Sequence, residues 1–303
     1  MKILVLGGQG FIGYNLCLRL LNDKHEIIVF EKSINNDKII KGVEYIEGDF
    51  TEIEKYIDIF NGVDAVYHLI STSNAVTSNY DRVMDINNNV ISTIKLLDIC
   101  KEKDNIKVIF SSSGGTVYGN SQAVPLKETS ITNPITTYGI NKLMIENYLY
   151  LYNKLFGLNY TVLRIANPYG PFHVSNSQGL INVFLKKILD NEVIEIWGDG
   201  SVIRDYIYID DVIEALYLSL KKETNSKILN IGSSYGISIN DIIKIMKDDL
   251  KLSFDVIYKE SRNVDVNKNY LDISLAQKEL NWVPKTNLVT GIQKTYKFNK
   301  KGE

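Results

Sequence analysis

The chain has 303 residues with 34 basic and 36 acidic side chains, a formal net charge of −2, 45% apolar and 23% charged residues. These proportions belong to folded globular proteins and exclude a disordered, collagen-like or coiled-coil chain, while the near-neutral balance excludes a polycationic surface for nucleic acid or anionic lipid. The length favours one large domain or two joined ones. No apolar run approaches the roughly 20 residues of a spanning helix. The apolar start is broken by Gly7, Gly8, Gln9, Gly10 and Gly13 and then by Arg19, unlike a secretory leader. Cys17 and Cys100 lie far apart, and His25, His68 and His173 are scattered. That spacing argues against a disulfide framework or a metal site and suits a reduced, cytoplasmic setting.

In chain order, short apolar or β-branched runs at 3–6, 26–30, 43–46, 65–68, 107–111 and 160–164 predict strands. Between them, 11–21, 52–60, 81–100 and 138–156 predict helices. Strand–helix alternation predicts an α/β fold, a doubly wound parallel sheet covered on both faces. The rhythm changes at the turn cluster 167–171. Beyond it, helices are expected at 181–189, 211–220, 239–250 and 274–280, with isolated strands at 195–197, 227–231 and 255–258. The expected organisation is a nucleotide domain over 1–167 and a smaller mixed α/β domain over 168–303, some of whose segments return to the first.

Two motifs carry chemistry. Gly7-Gly8-Gln9-Gly10-Phe11-Ile12-Gly13 follows the first strand and opens the first helix, so its backbone can turn sharply and present helix N-terminal amides to a pyrophosphate. Glu31 ends the second strand, where a carboxylate can hold ribose hydroxyls and repel a 2′-phosphate. That favours NAD over NADP, although Lys32 follows directly. Tyr138 and Lys142 stand four apart in Tyr138-Gly139-Ile140-Asn141-Lys142, one helical turn along one face. A free phenol has a pKa near 10, and a neighbouring ammonium pushes it toward the ionised form that a general base needs. Upstream, the run from Ser111 through Ser113, Gly114, Thr116 and Tyr118 to Gly119 places hydroxyls at the carboxyl edge of the sheet, where such folds bind ligands.

Together GGQGFIG, SSSGGTVYG, YGINK, RIANPYGP, GDGSVIRDYIYIDDV and the late Arg262/Asp265 pair resemble, in order and spacing, the extended short-chain dehydrogenase/reductase family, most closely its UDP-glucose (UDP-galactose) 4-epimerases. The resemblance spans essentially the whole chain and implies a Rossmann domain with a UDP-sugar-binding domain. It implies NAD held by Gly7, Gly10, Phe11, Ile12, Gly13, Glu31, Asp49, Phe50, Leu69, Ile70, Ser71 and Asn88, together with Tyr138 and Lys142. Tyr138 is implied as the base, Lys142 as its electrostatic partner, and Asn167, Arg204 and Arg262 as substrate ligands. The family's catalytic hydroxyl falls here on Gly114, so Ser113 or Thr116 must supply it, Ser113 being favoured. Gly115 and Thr116 stand where the related dehydratases carry an Asp-Glu pair. Asn269 occupies the place of a bulky Tyr in glucose/galactose-restricted members, and its smaller size would leave room for a 2-N-acetyl group. The implied reaction is 4-epimerisation of a UDP-hexose. A nucleotide-sugar 4-ketoreductase and a non-catalytic NAD-binding module are the competing readings. Apolar and aromatic residues on nearly every face of the 143–152 helix predict a homodimer.

Overall fold

A computed structural model describes residues 1–103, 106–120, 123–173, 175, 178–224, 226–260 and 268–301. Strand β1 (Lys2–Leu6) is buried from both faces, with Ile3, Leu4, Val5 and Leu6 wholly inaccessible. Helix α1 (Phe11–Asn22) buries Leu16, Cys17 and Leu20 on one stripe. Strands β2 (Glu26–Glu31), β3 (Glu44–Glu47) and β4 (Ala65–His68) follow. The helix expected over 52–60 is instead a 3₁₀ stretch, Phe50–Phe60, kinked at Glu52 and Tyr56.

The single helix expected over 81–100 is split into α2 (Arg82–Asp85), a π turn at Ile86–Ile91 and α3 (Ser92–Lys101). The Ser92 hydroxyl donates to the Asn87 carbonyl and the Thr93 hydroxyl to that of Asn89. Such back-bonding competes with the regular ladder and widens the turn. Strand β5 (Lys107–Ser113) leads to α4 (Thr137–Phe156), capped by Thr136 and stopped by Gly157 at φ +72°, and then to β6 (Asn159–Ile165).

The second half contains β7 (Asn167–Tyr169), α5 (Leu180–Leu189), β8 (Ile194–Trp197), β9 (Ile203–Arg204), β10 (Tyr206–Tyr208) and α6 (Ile209–Lys221). These are followed by β11 (Lys227–Ile231), β12 (Ile237–Ser238), α7 (Ile239–Lys244), β13 (Val256–Lys259), α8 (Ser274–Leu280) and α9 (Leu288–Lys301). The helix expected over 239–250 turns π-helical at Ile245–Asp249, and α9, rich in lysine, was not legible as an element.

One seven-stranded parallel sheet runs β11-β6-β5-β4-β1-β2-β3. Strand order reverses between β1 and β4, and ligands of open α/β sheets bind beyond the strand carboxyl ends at such a point. Residues 209–231 rejoin this sheet. Strand β11 pairs with β6, and α6 lies along α1, with Arg19 bonded to Glu214 and the Tyr67 hydroxyl to the Leu216 carbonyl. The remainder forms three two-stranded sheets, β7 with β10, β9 with β12, and β8 with β13.

Candidate active site

The glycine turn lies at the carboxyl end of β1. Gly7 sits at φ +86°, in the left-handed region that favours glycine. A Cβ on Gly13 would lie 2.1 Å from the Gly7 carbonyl oxygen, and one on Gly8 would lie 2.5 Å from Val29. The α1 N-terminus, at Gly10, carries no side-chain cap and no acidic residue in its first turn. Its amides are thus available to an anion. Phe11 starts this helix with its ring 4.6 Å from that of His173, and Ile12 packs on the core.

Glu31 closes β2 beside the turn, its carboxylate accepting the Gln9 N–H. Burial pushes this carboxyl upward, opposed by Gln9 and by Lys38. Lys32 pairs with Asp49 at 3.0 Å. Asp49 accepts from the Thr51 N–H and hydroxyl, and these bonds with Lys32 hold it down at about 2. Phe50 is buried against His68, whose Nε2 meets the Thr93 hydroxyl at 2.8 Å. Leu69 and Ile70 border the glycine turn, for a Cβ on Gly7 would touch the Ile70 N–H. Glycine cradle, uncapped helix start and strand-end carboxylate together fit a dinucleotide.

Tyr138 and Lys142 project from the first two turns of α4 into a small cleft shared with Ile70, Ser71, Ser73, Asp85, Asn89, Asn141 and Ile145. Lys142 donates to the Ser111 carbonyl at 2.8 Å and stands 5.6 Å from the centre of the Tyr138 ring. Burial, with Asp85 adding to it, pushes the Tyr138 phenol up to about 12. Burial also brings the Lys142 ammonium down to about 8, against the pull of Glu146 and Asp85. Asn88 is half-buried on the π turn, and its neighbour Asn89 reaches the cleft instead.

The three serines at the end of β5 divide their tasks. Ser111 gives its carbonyl to Lys142, and Ser112 donates to Glu146, which pairs with Arg164 inside the core. The Ser113 hydroxyl stands close to Gly115, as does the Asn167 amide oxygen, each within 4 Å of a Cβ placed there. Thr116 has a buried hydroxyl with no partner among the described residues, and its backbone lies against Gly139, next to Tyr138. Gly114 cannot carry the family's hydroxyl, because a Cβ there would lie 2.6 Å from Leu271 and 3.0 Å from the Arg164 carbonyl.

Asn167 lines a cavity of about 300 Å³ together with Arg204, Trp197, Phe184, Tyr206, Leu180 and others. Asn167 itself donates to the Asp205 carbonyl. Arg262 and Asp265 lie outside the described residues. Asn269 is not on the cavity wall: it is fully buried and donates to the Gly114 carbonyl, beneath the serine-strand turn.

Sequence reasoning missed the clamp on α4. Thr137 donates to Asn79 and the Tyr138 N–H to Ser78, so the segment after β4 satisfies the orphan amides at the helix start. It also missed the Glu146–Arg164 pair. Arg164 as the one charge in the strand β6 was the available signal.

Residues 3–232 match the NAD dependent epimerase/dehydratase family. A putative UDP-glucose 4-epimerase of Methanocaldococcus jannaschii is 33% identical over 98% of both chains. A dTDP-4-dehydro-6-deoxyglucose reductase of Escherichia coli is 32% identical over 97% of this chain and 96% of its own. The crystal structure of UDP-glucose 4-epimerase with UDP-glucose from Thermotoga maritima superposes with a TM-score of 0.95 at 34% identity, covering 100% of this chain and 99% of that one. Fold, glycine turn and relatives agree with the expectation of an NAD-dependent epimerase-type enzyme: the chain belongs to the NAD dependent epimerase/dehydratase family.

Proposed function

We propose that the protein is an NAD-dependent 4-epimerase of a UDP-hexose, acting through a transient 4-keto sugar. The observation that carries this reading is the Tyr138–Lys142 pair. It is set in a cleft with Ile70, which borders Gly7 of the glycine turn, and a second cavity is lined by Asn167 and Arg204.

NAD, when bound, would supply the hydride acceptor and donor for C4 of the sugar. Gly7, Gly10, Phe11, Ile12 and Gly13 would hold its diphosphate, Glu31 a ribose, Asp49 and Phe50 the adenine, and Leu69, Ile70, Ser71 and Asn88 its remaining length. Glu31 at the end of β2 would repel a 2′-phosphate, and Lys32 is paired with Asp49, in keeping with NAD over NADP. Tyr138 draws the proton from the C4 hydroxyl, and Lys142 favours the phenolate. Ser113 is the hydroxyl we favour for steadying the C4 oxygen, the Ser112 hydroxyl being bonded to Glu146. Thr116 stands behind it. Epimerisation requires the ketone to present its other face, so the nucleotide must be gripped while the sugar turns. Arg204, Arg262 and Asn167 are the residues for that grip, a guanidinium matching phosphate oxygens in pairs.

Incubation with UDP-galactose and UDP-N-acetylgalactosamine without added cofactor tests the reading. Interconversion of either supports it, and conversion of neither overturns it. The second reading, a 4-ketoreductase, draws on the Escherichia coli relative and predicts stoichiometric oxidation of NADH by a keto-sugar nucleotide. Buried and bonded to Gly114, Asn269 supplies no direct wall for a 2-substituent, so the two UDP-sugars must be compared by assay.

We also infer a homodimer. Ile140, Tyr150, Leu151, Leu155 and Phe156 are exposed on α4, and Val83, Met84 and Ile91 on the neighbouring segment. An apolar area of that extent suits a second copy. Sedimentation at micromolar concentration should show twice the chain mass, and a monomer would refute the inference.

A further inference from the structure

A buried carboxylate lies beside the Tyr138–Lys142 pair with no part in the reaction above. Asp85, at the end of α2, is 3% exposed. Its Oδ1 accepts the Asn89 amide at 2.9 Å and its Oδ2 the Asn141 amide at 2.7 Å. Asn141 is itself 3% exposed and stands between Tyr138 and Lys142 in α4, one residue before the lysine. Asn89 in turn ties the segment after β4 through Thr72, whose N–H and hydroxyl it engages. Three parts of the cleft wall therefore meet at one carboxylate. Amide groups on both oxygens suit an acceptor-only carboxylate.

We propose that Asp85 is a positioning residue for the Tyr138–Lys142 pair: its carboxylate locks the start of α4 through Asn141 and supplies, beside Glu146, an anion on the wall of the cleft that holds the Lys142 ammonium. The charged and titratable groups around Lys142 are few. Glu146 lies one turn along α4 and pulls on Lys142 more strongly than Asp85 does, but it is also paired with Arg164, with Nη2 to Oε2 at 2.7 Å and both side chains buried. His68, from β4, is held neutral by burial, down at about 3. Tyr138 is the reacting phenol. Asp85 has no cation within ion-pair distance among the described residues, so its charge is the uncommitted one. An anion there favours the charged lysine against the cost of burial, as the pull on Lys142 indicates. It also disfavours the phenolate in the resting protein, so that ionisation of Tyr138 waits on a nearby positive charge.

The inference rests on the epimerase reading for its kinetic arm and is independent of it for the other. Asp85→Asn keeps the shape and removes the charge. Nuclear magnetic resonance of ¹³Cε-labelled lysine, with Lys142 identified by its absence in Lys142→Met, follows the ammonium directly. The Lys142 midpoint should fall by at least half a pH unit in D85N, and an unchanged midpoint overturns the proposal whether or not any UDP-sugar is turned over. In the kinetic arm, D85N should lower kcat at least tenfold with KM within twofold, and the alkaline limb of the pH profile should move to lower pH. A merely structural role would reduce amplitude and leave that limb in place, which also overturns it. Should D85N not fold, Asn141→Ser, which leaves the carboxylate charged, decides. Loss of at least threefold in kcat at unchanged KM and unchanged limbs supports the proposal, and wild-type kcat overturns it. If the unmodified protein turns over no UDP-sugar, the epimerase reading fails and the Lys142 titration alone judges Asp85.

Discussion

Replacing Lys142 by Met separates the two duties of a buried ammonium. The Lys142 nitrogen lies 5.6 Å from the Tyr138 ring centre. At an effective dielectric constant of about 20, a unit charge at that distance favours a phenolate by about 3 kcal/mol. That equals about two pKa units, or a hundredfold change in the ionised fraction. The Tyr138 phenol already stands at about 12 through burial and Asp85, so K142M moves it further from the working range. In kcat measured from pH 6 to 10, the acid limb should rise by about two units, with a loss of about a hundredfold at pH 7.5. Stability should move the other way. The ammonium titrates at about 8 in the folded protein, against 10.5 for an ordinary lysine. As pH falls from 10.5 to 8, the unfolded chain takes up this proton and the folded one does not. Stability therefore drops through that window and stays reduced below 8. Methionine escapes this cost but forfeits the bond to the Ser111 carbonyl, worth about 1 kcal/mol. The balance is a gain of about 2 kcal/mol at neutral pH, read from urea unfolding. A variant with kcat within threefold of the parent, or one less stable than it, refutes the reasoning.

Further outcomes follow from the same geometry. Gly13→Ala forces a methyl against the Gly7 carbonyl and the Gly8 Cα, backbone atoms that cannot swing aside. It should cost about 1–3 kcal/mol and abolish retention of NAD, and full cofactor content in the purified variant would contradict this. Glu146→Gln leaves the buried Arg164 without its carboxylate. A loss of about 3–5 kcal/mol, set against an unfolding entropy of about 0.6 kcal/mol/K for a chain this long, lowers the calorimetric midpoint by about 5–8 °C. A shift under 1 °C would be wrong for a buried pair. Arg204→Ala should weaken UDP binding at least tenfold by titration calorimetry and leave the melting midpoint within about 1 °C. Unchanged affinity would remove Arg204 from the nucleotide grip.

Local pattern was enough for the elements whose periodicity is strong. The uninterrupted apolar runs of β1 and β5 were legible because burial acts on residues close together in the chain. The π turn was hidden, because it depends on the hydroxyls of Ser92 and Thr93 choosing carbonyls over water. So was α9, whose exposed lysines dilute its apolar stripe. Among site residues, Asn269 shows the limit of reading by position. Its alignment with a bulky Tyr of glucose/galactose-restricted members suggested a sugar contact, whereas in the fold it is buried and donates to the Gly114 carbonyl.

The amino-acid order by itself determined the sheet class, through the alternation of strand and helix patterns, and also the phosphate turn and the one-turn spacing of phenol and ammonium, which depend on backbone geometry over seven residues or fewer. Only the folded chain decided that the Ser112 hydroxyl is taken by Glu146, where Asp85 lies, and that Asn167 lines a cavity with Arg204. Those relations join residues as many as 56 positions apart, as from Asp85 to Asn141. Their distances are set by how strands and helices pack, which no local pattern encodes.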